Sequence, residues 1–482
     1  MTPAPARTIP VRNPRTGVED FEIAVATADQ VEEKAARLRA NQRAWLERGL
    51  EGRTAVMQRW FEQFARVAKE FGEIEAVDTG GTHTSYVQGF ITLEAIRGWI
   101  EDAADAIAAA TITGPSKTMP TVDVQTQLVP YPLVGVISPW NAPTMLAMID
   151  SIPALFAGSA VLWKPSEVTP RFVSAFFETV QAVPELAAVF DYVLGDGETG
   201  QAIVAQSDMV CFTGSVPTGR KIAVACAERL IPCFLELGGK DPVIVTETAD
   251  IDRATTSVLH GGVYATGMVC FSIERVYVHE SIHDEFVREL VRKAELVHLN
   301  DDNPKAGHVG PFTFAPQADI VAAHIEDART KGASVLTGGV VENRGGGLYM
   351  RPTVLTGVHH GMDIMREETF GPCLPVMPYR DIDEAIALAN DTTFGLTASV
   401  IAGTEDEALE IGRRIDAGTI FIQDTFLMPG KGRTIGTNAF GFSGLGGNRT
   451  GKDGILRFFR RKALLVQHGE PADIMNERFE ER

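Results

Sequence analysis

Across residues 27–46 apolar side chains recur at helical spacing, with Val31, Ala35, Leu38 and Trp45 on one stripe. Thr27 and Gln30 have the spacing of a reciprocal capping box at its start. Residues 54–68 repeat the rhythm through Val56, Met57, Trp60, Phe61, Phe64 and Val67, which predicts a helical N-terminal region. The pattern then shortens. Residues 134–138, 160–163, 189–194 and 209–212 are short, mostly apolar runs separated by helical stretches such as 171–183. That alternation predicts a parallel sheet covered by helices, with ligand groups delivered from strand ends. After Gly238-Gly239 it restarts, and residues 242–245, 275–279, 333–337, 374–377 and 419–423 are the strand candidates of a second α/β unit. Residues 116–133 and 456–467 are strand material that neither unit requires. The glycines of Asn343-Arg344-Gly345-Gly346-Gly347 read as a surface turn.

Composition narrows the function classes. With 482 residues and 45% hydrophobic content, the chain can form two or three folded domains. A dispersed net charge of −19 disfavours nucleic acid as a general partner; the main basic cluster, Arg457-Phe458-Phe459-Arg460-Arg461-Lys462, reads as strand material with solvated cations. The uncharged stretch between Asp123 and Asp150 is broken by Pro130, Pro132, Pro139 and Pro143, so buried strands and a turn are expected rather than a membrane span. Cys211, Cys226, Cys233, Cys270 and Cys373 form neither a disulfide framework nor a CxxC site. A reducing, cytoplasmic setting fits, and residues 1–7 read as a short disordered lead without the apolar run of a secretory signal. No metal site is expected: His359 and His360 are adjacent rather than face-spaced, and no HExxH occurs.

The chemistry concentrates at Glu236, in Leu235-Glu236-Leu237-Gly238-Gly239-Lys240, and Cys270, in Gly267-Met268-Val269-Cys270-Phe271-Ser272. A thiol that attacks a carbonyl and a carboxylate that activates water are the two groups a covalent acyl mechanism needs. Glu236 has a competing reading as the buried ion-pair partner of Lys240, and Asn141 one as an ordinary turn residue. Together with Pro139-Trp140-Asn141, Lys164-Pro165-Ser166-Glu167, Phe212-Thr213-Gly214-Ser215 and Glu367-Glu368-Thr369-Phe370-Gly371-Pro372, these segments resemble the NAD(P)-dependent aldehyde dehydrogenase superfamily, in the same order and at similar spacings, over nearly the whole chain.

The resemblance implies an α/β fold of two Rossmann-like domains and a small β arm: residues 1–115 and 134–237 bind the dinucleotide, 238–455 carry the catalytic unit, and 116–133 with 456–482 form an oligomerisation arm of a homodimer or homotetramer. It also implies that Cys270 is the nucleophile, Glu236 the general base of hydrolysis, and Asn141 a donor to the developing oxyanion. Lys164 and Glu167 would hold the adenosine ribose, favouring NAD over NADP, which some relatives also accept. Ser215 would approach the pyrophosphate, the Gly195-Asp196-Gly197-Glu198-Thr199-Gly200 turn would border it, and Trp140, Glu368 and Phe370 would attend the nicotinamide half.

Met145, Ile149, Tyr264, Val269 and Phe271 predict an apolar tunnel suited to an aromatic or hydrophobic aliphatic aldehyde. Residues 424–438 look longer than usual and are expected at the tunnel mouth, where Lys431 and Arg433 could instead recruit a carboxylate-bearing semialdehyde. Met268, Gln423 and Phe440-Gly441-Phe442-Ser443-Gly444 depart from the usual pattern. Acyl transfer to coenzyme A has no need of Glu236, and a scaffold that merely retains the fold has no need of Cys270, Glu236 and Asn141 together.

Overall fold

The computed structural model describes residues 7–476, apart from the side chains of Lys431 and Asn476; most of the N-terminal lead and the end of the arm range lie outside them. Helix Ala28–Glu47 begins with the capping box between Thr27 and Gln30 and buries Val31, Ala35, Leu38 and Trp45. The next helix, Gly49–Ala65, starts earlier than its apolar stripe, because Gly49 at φ +66° turns the chain and restarts it at once. Helices Ala68–Thr79 and His83–Ala109 complete the N-terminal layer and share a core with the first sheet.

That sheet holds five parallel strands in the order Phe190–Tyr192, Ala160–Lys164, Leu133–Ile137, Met209–Thr213, Cys233–Glu236. Successive strands run outward from Leu133–Ile137 in one direction, then the chain jumps to its other side. Such a switch point opens a crevice at the carboxyl ends of the strands. There the segments that follow Ile137, Lys164, Thr213 and Glu236 lie side by side.

The second sheet has seven strands in the order Ser334–Thr337, Thr353–Thr356, Cys373–Tyr379, Ile273–His279, Asp241–Val245, Thr397–Ile401, Thr419–Ile422. All neighbours are parallel except the first pair. Thr353–Thr356 and Thr397–Ile401 add to the strands read from sequence; hydroxyl side chains dilute their apolar character over four or five residues. The amino ends of Asp241–Val245, Ile273–His279 and Cys373–Tyr379 carry the segments holding Gly238-Gly239, Cys270 and Phe370, and these meet the carboxyl ends of the first sheet.

Near its end the chain crosses back. Gly444–Leu445 pairs antiparallel with Cys233–Glu236, and Ile455 and Phe458 join the first core. The arm is a three-stranded antiparallel sheet in which Val122–Pro130 lies between Phe459–Gln467 and Thr113–Pro115, so it starts a few residues before 116. No helix among the described residues is long and apolar enough to cross a membrane.

Candidate active site

Cys270 sits on the short connection between helix Ile251–Val263 and strand Ile273–His279. The approach to it is held under strain: Ala265, Thr266 and Gly267 are consecutive left-handed residues at φ +51°, +63° and +71°. Each non-glycine residue in that region costs on the order of 1–3 kcal/mol and persists only where its surroundings enforce it. Here Thr266 Oγ1 donates to the Gly310 carbonyl and accepts from the Gly310 amide, both at 3.1 Å. A Cβ on Gly267 would lie 2.3 Å from the Gly371 carbonyl oxygen, so the loop also presses against the segment that carries Phe370.

Two separate segments converge on the Cys270 loop. Asn141 Nδ2 donates to the Met268 carbonyl at 2.9 Å, which brings the proposed oxyanion donor to within two residues of Cys270 along the chain. The Gly239 backbone passes so close that an added Cβ would stand 2.6 Å from the Cys270 carbonyl oxygen. Glu236, three residues earlier, contributes its charge to the same enclosure. Burial first, then the carboxylates of Asp241, Glu236 and Glu368, push the Cys270 thiol up to about 12, while the Arg449 guanidinium works the other way. The thiol therefore rests protonated at neutral pH, and its proton must leave as the carbon–sulfur bond forms.

Lys240 is engaged by Glu274. Its Nζ donates to Glu274 Oε2 at 2.6 Å and to Thr369 Oγ1 at 3.0 Å, and the Glu274 carboxylate accepts from the Thr369 and Phe370 amides at 2.8 and 2.7 Å. This network fixes Phe370, itself left-handed at φ +52°, and with it Glu368. Glu368 Oε1 accepts from the Gly239 amide at 3.3 Å. Burial, followed by the neighbouring Glu274, raises the Glu368 carboxyl to about 8. The ring of Phe370 meets Trp140 edge-on at 5.5 Å, closing the floor between the two sheets.

The crevice of the first sheet has the donors a dinucleotide needs. Buried Lys164 donates from Nζ to Glu167 Oε2 at 3.0 Å, so an amine and a carboxylate stand together and could hold ribose hydroxyls. Gly195 is at φ +150° and a Cβ there would collide with Thr199 Oγ1 at 2.0 Å, so only glycine fits that turn. Ser215 is exposed at the start of helix Val216–Glu228, and its Oγ bonds to Thr218 Oγ1 at 3.1 Å, leaving the first-turn amides without a side-chain cap. Uncapped amides at the positive end of a helix suit a pyrophosphate.

On the other side of Cys270, helix Pro143–Ala157 buries every residue except Met145 and Ile149, one turn apart on the same face. Tyr264, Val269 and Phe271 are likewise partly open. Phe426, which no sequence feature distinguished within the 424–438 loop, completes an aromatic wall: its ring lies 4.5 Å from Tyr264, 5.4 Å from Phe271 and 4.8 Å from His260. The expected availability of Arg433 for a substrate carboxylate meets a competing commitment. Arg433 Nε donates to Asp102 Oδ2 at 3.1 Å, its guanidinium lies 5.8 Å from the centre of the Trp99 ring, and its Nη1 reaches the Glu94 carbonyl at 3.4 Å. These contacts dock the loop onto helix His83–Ala109. The Lys431 side chain lies outside the described residues.

The family model described as the aldehyde dehydrogenase family matches residues 1–464. The chain belongs to the aldehyde dehydrogenase family. It is 35% identical over 461 residues, 95% of this chain and 88% of the relative, to a putative succinate-semialdehyde dehydrogenase [NADP(+)] of Mycolicibacterium smegmatis. Among solved structures it resembles the putative aldehyde dehydrogenase PutA of Anabaena variabilis, with a TM-score of 0.94, 45% identity, and coverage of 97% of this chain and 99% of that one. A betaine aldehyde dehydrogenase of Staphylococcus aureus in complex with NAD+ aligns with a TM-score of 0.90 at 27% identity, covering 98% and 96% of the two chains. This aldehyde dehydrogenase is thus an oxidoreductase of aldehyde groups in a family that uses a nicotinamide cofactor.

Proposed function

We propose that this aldehyde dehydrogenase oxidises an aromatic or hydrophobic aliphatic aldehyde to its carboxylic acid with NAD, through a thioester on Cys270. The observation that carries the reading is the convergence of Asn141, the Gly238-Gly239 turn after Glu236, and the Cys270 loop on one enclosure. The Cys270 sulfur adds to the aldehyde carbon, the thiol proton passes to solvent water, and the carbonyl oxygen takes up negative charge beside the Asn141 amide and the Cys270 N–H. Loss of one such donor typically costs about 2.7–4 kcal/mol of transition-state stabilisation. A bound nicotinamide dinucleotide supplies the two-electron acceptor for the aldehyde hydrogen. Glu236 then takes a proton from water as the water oxygen attacks the thioester; the carbon–sulfur bond breaks, and acid and thiolate part.

The preference for NAD follows from Glu167: a carboxylate hydrogen-bonded to Lys164 accepts from ribose hydroxyls and repels a 2′-phosphate. The preference for apolar aldehydes follows from Met145, Ile149, Tyr264, Phe271 and Phe426, and from the engagement of Arg433 with Asp102. A second reading, a semialdehyde dehydrogenase using NADP, is favoured by the name of the Mycolicibacterium smegmatis relative. The exposed outer strand of the arm supports a homodimer or homotetramer, and the free cysteines support a cytoplasmic setting.

The reading is tested by reduced-cofactor formation on benzaldehyde-like, long-chain and succinate-semialdehyde-like substrates, with NAD and with NADP, with and without coenzyme A. A kcat/KM at least about tenfold higher for the apolar aldehydes with NAD is expected. A preference for the charged semialdehyde would install the second reading, and dependence on coenzyme A would remove the hydrolytic role of Glu236.

A further inference from the structure

The helix that follows Asn141 does not cap itself. Helix Pro143–Ala157 opens on a proline, which has no amide hydrogen, and its first internal bond runs from the Leu146 amide to the Ala142 carbonyl at 3.1 Å. The amides of Thr144 and Met145 are left to satisfy. Ala142, at the cap position, has no side-chain oxygen to offer them.

Two other helices supply the acceptors. Glu75, in the last turns of Ala68–Thr79, accepts from the Thr144 amide through Oε1 at 3.4 Å. Gln88, on His83–Ala109, accepts from the Met145 amide through Oε1 at 3.1 Å. Both side chains are fully buried. Burial raises the Glu75 carboxyl well above the ordinary glutamate value, which favours an uncharged acid whose carbonyl oxygen meets the amide. No step of the proposed reaction uses either residue.

What they spare is Asn141. An asparagine three residues ahead of a free first-turn amide is a favoured cap, its side-chain oxygen turning back to that amide. Thr144 stands at that spacing, and its amide is already taken by Glu75. The Asn141 carboxamide instead donates from Nδ2 to the Met268 carbonyl at 2.9 Å, two residues from Cys270. The turn is held on its other side as well, because Thr169 Oγ1 donates to the Trp140 carbonyl at 3.4 Å.

We infer that Glu75, backed by Gln88, is a positioning residue: by capping the helix in place of Asn141, it keeps the Asn141 amide turned toward the oxyanion of the Cys270 adduct. Without the Glu75 carbonyl, the Thr144 amide recruits the Asn141 oxygen, and the donor swings off the reacting centre. Glu75 acts on the reaction only through Asn141. The inference rests on the proposed role of Asn141 as oxyanion donor.

The test measures the single-turnover rate of NADH formation with a benzaldehyde-like substrate, kcat/KM, and the dissociation constant of NAD. The variants are Glu75→Met, Glu75→Gln, Glu75→Asp and Asn141→Ala, with each Glu75 change repeated in the Asn141→Ala background. In Glu75→Met the single-turnover rate and kcat/KM should both fall about tenfold or more, with NAD affinity within about twofold of wild type. Glu75→Gln keeps a carbonyl acceptor and should recover most of that loss. In the Asn141→Ala background Glu75→Met should cost less than about twofold, because the group it releases is already gone. If Glu75→Met does not fold, Glu75→Asp, whose carboxyl is withdrawn by one methylene, decides: a roughly threefold or larger loss that vanishes with Asn141→Ala supports the inference, and an unchanged rate overturns it. Unchanged rates in Glu75→Met, an equal loss of NAD affinity, or penalties that multiply with Asn141→Ala would also overturn it. Failure of the underlying reading is separate, because Asn141→Ala alone would then keep the wild-type rate, and the inference would fall with it.

Discussion

At the scale of single residues, the site gathers acids that hold their protons more tightly than usual. Glu368 is the most accessible case: its carboxyl is raised to about 8 by burial and by Glu274. The folded protein therefore binds this proton more strongly than the unfolded chain, whose glutamate titrates near ~4.3. Its contribution to stability is fully present below the unfolded value and is lost as pH rises through about 8. Glu368→Gln removes that loss, so its melting temperature should gain on wild type between pH 5 and pH 9 by about 2 °C or more; a constant difference across this range would contradict the assignment. Cys270 was singled out in sequence because a thiol set among Gly267, Val269 and Ser272 stood in a recognisable motif. Phe426 was not, since only the packing of its loop against Tyr264 and His260 distinguishes it from other loop aromatics. Arg449 was equally hidden: its partner Asp150 closes an uncharged stretch, but which cation meets it is a matter of tertiary structure.

At the scale of elements, the alternating runs of residues 134–212 were enough to place four of the five parallel strands of the first sheet, because parallel strands buried on both faces read as continuous apolar stretches; Cys233–Glu236, only partly buried and interrupted by its glutamate, was not read as a strand. Thr397–Ile401 escaped that signal, as did the return of Gly444–Leu445 to the first sheet, which two residues of backbone pairing cannot announce. The Lys240–Glu274 pair explains why the Gly238-Gly239 turn is so tightly held. Gly239→Ala would put a methyl group 2.6 Å from the Cys270 carbonyl and 2.5 Å from Asp241 Oδ1, so the catalytic loop must shift. A displacement near 1 Å there should lower kcat about a hundredfold while cofactor affinity, which the proposed function assigns to the other sheet, changes far less. Steady-state kinetics with cofactor titration checks this, and a variant with unimpaired kcat would show that the turn does not support the nucleophile.

At the scale of the whole molecule, the amino ends of one sheet face the carboxyl ends of another, and the proposed function has a dinucleotide held by the first and presented to Cys270 on the second. The arm stands apart from both. Its outer strand Phe459–Gln467 pairs on one side only and exposes Leu464, Leu465 and Val466. An exposed apolar edge of that length is a template for strand pairing. Light scattering should give a dimer or tetramer for the wild type and a smaller species for Leu465→Glu; a wild-type monomer would remove the role assigned to the arm. The central claim is that Cys270 and Glu236 act in sequence on one carbonyl, and Glu236→Gln isolates the two steps. Followed at the absorbance of reduced cofactor, that variant should form about one NADH per active site at the wild-type rate and then stall. Uninterrupted turnover at the wild-type rate, or no NADH at all from a folded protein, would contradict the account.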